Sequence, residues 1–175
     1  MALSSSFIPI LTGNLGYVLL KEVDDKKSNE IFNYSIFYIF LTNIIFITIL
    51  YPIISLIGFD IDDEFFYLLF LLSLGSSLLQ VVNRKLNRLE KYASISIFKF
   101  LQSLFIIMGY FLLIDNYSGL VIANIFAIYL LLSIYLLFFE TPNFFIIKNF
   151  NFKELSNYKD YLLNNSISST LNSLV

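Results

Sequence analysis

Lys99 is the residue with the most chemistry within reach. It stands inside the apolar stretch Ala93–Ile114, ASISIFKFLQSLFIIMGYFLLI, with Ser96, Gln102 and Ser103 close by. Spacings of three and four place these side chains on one helix face. The opposite face carries Phe98, Leu101, Phe105 and Leu112, suited to lipid or to packed helices. A lysine in a membrane interior is costly and usually turns toward a bundle interior or an aqueous cavity. A second reading stays open. Lys99 lies about six residues, roughly 9 Å, from the start of its helix, and its stem can snorkel to the headgroups from there.

Other reactive chemistry is scarce. With Cys 0 and His 0, the chain has no thiol nucleophile, no disulfide and no His- or Cys-based metal site. The commonest general base is absent as well. The acidic segment IDDE lacks the twelve-residue calcium-loop pattern, and no glycine-rich phosphate loop or paired intramembrane carboxylates occur. The formal net charge of −2 gives no global basic field for nucleic acid. Neither a cofactor nor a metal is expected.

Further polar groups sit in other apolar stretches. Ser73, Ser76, Ser77 and Gln80 make a stripe on Phe65–Val82. Small and hydroxyl residues at such spacing serve packing more often than ligand contact. Gly119, Ala123 and Ala127 recur every four residues, the pattern of a close-approach face, with Asn124 placed to bond across helices. Pro9, Gly13 and Asn14 suggest a kinked first segment, which is either a transport-site feature or an ordinary membrane-helix irregularity. Asn165 and Asn172 belong to a polar run, Tyr161–Val175, read as a cavity-lining helix or as an amphipathic piece facing outward.

These residues need elements to position them, and composition says which. The 175 residues are 58% hydrophobic and 14% charged. A soluble domain is about 45–50% apolar and about 25% charged. A soluble chain this small could not hide the difference, so an all-α integral membrane protein is expected. The apolar runs are Leu3–Leu20, Ile31–Phe59, Phe65–Val82, Ala93–Ile114 and Gly119–Phe139, with Tyr161–Val175 as the start of a sixth. A span needs about 20 apolar residues. Runs such as FFYLLFLL do not alternate, so a β-barrel is excluded. The expectation is a polytopic bundle of five transmembrane helices plus the start of a sixth.

Charge sorts by loop. Basic residues fall in Lys21–Glu30, Asn83–Tyr92 and Glu140–Asp160, and none in Asp60–Glu64 or Asp115–Ser118. The positive-inside rule makes the first group cytoplasmic and the second external. Lys99 is the one exception. Within Asn83–Tyr92 the run NRKLNRLEKY is read as a topogenic signal, with an anionic-lipid patch as the alternative. This topology puts Met1 outside, and MALSSSF has no basic signal-peptide region. The expectation is an internal piece of a larger transporter-like protein.

The stretch Arg88–Leu113, RLEKYASISIFKFLQSLFIIMGYFLL, resembles the fourth-to-fifth helix region of Wzx-type polysaccharide flippases, with Lys99, Leu101, Gln102 and Ser103 in the core. Glu154–Val175 is similar to their seventh helix through Tyr158, Leu171 and Asn172, though the usual proline is absent. Ile10–Lys27 is similar to the second helix and its charged loop. The resemblance implies family helices two to seven. Residues 1–139 would be a partial six-helix lobe, 140–160 a cytoplasmic linker and 161–175 the start of a second lobe. It further implies translocation of an undecaprenyl-linked oligosaccharide across the bacterial inner membrane by alternating access. The candidate cavity residues are then Lys99, Gln102, Ser103, Asn14, Asn165 and Asn172. The partners implied are the lipid-linked substrate, membrane lipids and a second lobe.

Three rivals remain. A multidrug or toxin-extrusion antiporter of the same superfamily would need a membrane-embedded acid, and none of the 13 acids lies within the second to fifth runs. A membrane enzyme of polysaccharide synthesis would need large external loops, and those here are short. A small structural membrane subunit is the third.

Overall fold

A computed structural model describes residues 11–12, 15–56, 63–114 and 118–139. Among them five helices follow one another: α1 (Leu15–Lys21), α2 (Asp25–Leu56), α3 (Asp63–Arg88), α4 (Tyr92–Leu112) and α5 (Gly119–Phe138). No strand occurs among the described residues. Four helices, α2 to α5, are long and apolar enough to cross a membrane. The first apolar run is seen as Leu11, Thr12 and the seven-residue α1. Its earlier part and the expected sixth segment lie outside the described residues.

Two helices run past the apolar stretches that announce them. The second run begins at Ile31, but α2 begins at Asp25. Asp24 explains the early start. Its Oδ1 accepts the backbone N–H of Lys26 at 2.8 Å and of Lys27 at 3.4 Å, an N-cap that satisfies donors the helix leaves free. At 32 residues α2 is about 48 Å long, well beyond a hydrocarbon core of about 30 Å. Likewise α3 passes Val82 and ends at Arg88. The expected ten-residue loop Asn83–Tyr92 is therefore mostly helix, and α3 turns into α4 through Leu89, Glu90 and Lys91 alone. Lys91 N–H donates to Leu86 O at 3.0 Å and Glu90 N–H to Asn87 O at 3.0 Å, the paired bonds of a Schellman turn. Glu90 occupies its left-handed position at φ 57.

The third helix is the hub, packing on α1, α2 and α5, while α4 lies outermost and rests mainly on α5. Leu15, Val18 and Leu19 of α1, Phe32 and Ile36 of α2, and Leu79 and Leu86 of α3 are buried. The small residues act as expected. Gly119, Ala123 and Ala127 are all buried on α5. A Cβ on Gly75 of α3 would stand 2.9 Å from Ile128 Cγ2, so the bare glycine makes room for the Ile128 and Tyr129 side chains of α5.

Polar groups join helices where the hydrocarbon would otherwise strand them. Asn43, fully buried in α2, donates to Ile39 O at 2.8 Å and accepts from Ser73 Oγ of α3 at 2.8 Å. Thr42 Oγ1 donates to Leu11 O at 2.8 Å, tying α2 to the first segment. Ser73 thus serves helix packing, as the stripe predicted, and Ser77 of the same stripe is buried beside it.

Candidate transport face on α4

The outer helix α4 buries one apolar side, and its exposed side mixes Ser96, Lys99 and Ser103 with Ile97, Phe100, Leu104, Ile107, Met108 and Phe111. Phe98 is buried, and Leu101 and Phe105 pack against the core, so the apolar side faces α5. Leu112, expected on that side, is 83% exposed. Ser96, Lys99 and Ser103 point away from the described helices and are exposed. Ser103 Oγ donates back to Lys99 O at 3.1 Å, a bond within the helix that leaves the ammonium unengaged by that hydroxyl. Gln102 is half-buried, on the flank between the two sides. The structure therefore brings Lys99 and Ser103 together and sets Gln102 at their edge. Asn14, Asn165 and Asn172 lie outside the described residues.

Gly109 of the same helix meets Ala123 of α5, where an added Cβ would stand 2.9 Å from Ala123 Cβ and 3.2 Å from its Cα. Backbone cannot retreat as a side chain can, so α4 and α5 approach closely there. Lys99 sits seven residues into its helix, about 10 Å from the basic end of the bundle. An ammonium at that depth binds an anion strongly when water and lipid do not compete.

Most of the basic cluster at the end of α3 is turned inward. Lys85 is 1% exposed, donates to Asn29 Oδ1 and stands 5.6 Å from the Phe32 ring. Arg84 lies over the Tyr17 ring at 4.1 Å. Arg88 donates to Glu22 O at 3.0 Å and Val23 O at 3.1 Å, and pairs with Asp25 at 2.7 Å. These cations hold the α1–α2 turn onto α3. Sequence reasoning missed this clamp by treating Asn83–Tyr92 as loop. The signal was present: Lys85 follows Leu78, Val81 and Val82 at helical spacing, which continues the buried stripe.

The described residues hold no group of three or more His, Cys, Asp or Glu able to take a metal. No family model, curated protein or solved structure matches the chain.

Proposed function

We propose that this chain forms most of one lobe of a Wzx-type flippase in the bacterial inner membrane. The lobe would move an undecaprenyl-linked oligosaccharide, such as an O-antigen, capsule or exopolysaccharide repeat unit, from the cytoplasmic to the external leaflet by alternating access. The role is transport without covalent chemistry. The observation that supports it is the placement of Lys99: α4 packs Phe98 toward the core and presents Lys99 between Ser96 and Ser103 on its exposed side. A second lobe facing that side would close a cavity with a cation in its wall. Lys99 would then meet the diphosphate or an acidic sugar, with Ser103 and Gln102 beside it. Asn14, Asn165 and Asn172 are the further polar candidates.

The test uses the full-length gene in cells that lack their own flippase. Wild type should restore surface polysaccharide. Lys99→Ala, at equal protein level, should reduce it about tenfold or more, the value of a charge-assisted hydrogen bond of roughly 1.5–3 kcal/mol. Lys99→Arg should retain most of it. Normal export by Lys99→Ala removes Lys99 from the substrate path, and failure of the wild type to complement removes the flippase reading itself.

A further inference from the structure

A second feature lies on the other side of the bundle. An apolar groove runs between α2 and α5 over α3, with Phe32, Ile36 and Phe40 on one wall, Val82 in the floor, and Leu132 and Leu136 opposite, enclosing about 280 Å³. Phe32 to Phe40 spans about 12 Å of helix. The polar atoms in its walls are already bonded within the protein. Ser133 Oγ donates to Tyr129 O at 2.9 Å, and Tyr129 Oη donates to Leu71 O at 3.1 Å. Such a groove gives a sugar or a hydrated ion nothing in return for lost water, and it suits hydrocarbon.

Its basic end narrows the occupant. At the basic end of the bundle, Tyr135 of the groove stacks on Phe139 with centroids 5.5 Å apart and planes at 11°. Lys91 Nζ stands 4.9 Å from the Phe139 ring centre. From Arg84 to Lys91, three of the four basic residues are drawn onto Tyr17, Asn29 and the α1–α2 turn. Lys91 is the exposed one. Phe139 lies one turn beyond Leu136, so the ammonium sits just past the end of the groove.

We infer that the groove and Lys91 bind one anionic phospholipid from the leaflet at the basic end of the bundle, an acyl chain lying between α2 and α5 and the phosphate on Lys91. This inference needs only that the helices span a membrane, and it is independent of what the protein transports.

Native mass spectrometry of the protein tests it, with phosphatidylglycerol and phosphatidylcholine of identical chains as probes. Wild type should retain one phosphatidylglycerol in preference. Lys91→Gln should lower that preference about fivefold, the value of one lysine at an anionic surface. Ser133→Trp, at an already exposed wall position, should displace both lipids at an unchanged melting temperature. Equal retention of the two lipids by wild type would overturn the assignment, as would insensitivity to both variants. So would a dimer that Ser133→Trp dissociates, which makes the groove a protein interface. Displacement of the retained lipid by equimolar undecaprenyl diphosphate also counts against it, giving the groove to the transported lipid.

Discussion

Gly109 of α4 and Ala123 of α5 meet with no room for another carbon, since a Cβ on Gly109 would stand 2.9 Å from Ala123 Cβ. This contact sets how closely α4 approaches α5, and together with buried Phe98 it leaves Lys99 on the exposed side. Gly109→Ala should destabilise the protein by about 1–3 kcal/mol, the usual cost of overpacking. The second substitution Ala123→Gly should recover most of it. Thermal unfolding in detergent reads both, and an unaffected Gly109→Ala protein would show that α4 and α5 are not in register here.

Arg88 and Asp25 form an ion pair of unequal partners, with side chains 11% and 86% exposed. An exposed carboxylate adds little, so Asp25→Asn should cost less than about 1 kcal/mol. Arg88→Ala also abandons the carbonyls of Glu22 and Val23 and should cost roughly 2–3 kcal/mol. Equal losses for the two variants, measured in the same unfolding assay, would mean that the ion pair rather than the carbonyl clamp holds the α1–α2 turn.

Glu90 carries a positive φ of 57 in the Schellman turn between α3 and α4. A side chain there costs about 1 kcal/mol that glycine avoids. Glu90→Gly should therefore raise the melting temperature. A fall would indicate that the Glu90 carboxylate contributes more than its backbone costs.

Asn43 and Ser73 share a buried hydrogen bond of 2.8 Å between α2 and α3. Such bonds in membrane helices average about 0.6 kcal/mol and reach about 1.7 kcal/mol. Ser73→Ala should lose an amount in that range, and the double variant with Asn43→Ala should lose less than the two singles added together. Strict additivity in this cycle would rule out coupling between them.

The four long helices were legible in the sequence because each carries an unbroken apolar run, such as Phe65–Val82 or Gly119–Phe139. Helix ends were not. Hydropathy reads the part of a helix embedded in hydrocarbon, whereas Asp24 and the Schellman turn act on backbone donors and acceptors beyond it. Loop charge singled out Arg84, Lys85 and Arg88 as a group but not their direction, because counting basic residues ignores where a helical stem points. Periodicity located the buried face at Gly119, Ala123 and Ala127 directly. It placed Gln102 with Lys99 and Ser103, yet three-residue steps drift around a helix by about 60°, which left Gln102 on the flank.

Lys99 decides between a transport path and a lipid-facing cation. With Cys 0 in this chain, Lys99→Cys introduces a single reporter thiol. In native membranes a charged, impermeant thiol reagent should modify it at a rate typical of a water-filled site, and undecaprenyl diphosphate should slow the reaction. A thiol inert to that reagent but reached by a lipid-confined one would contradict the flippase reading at its centre.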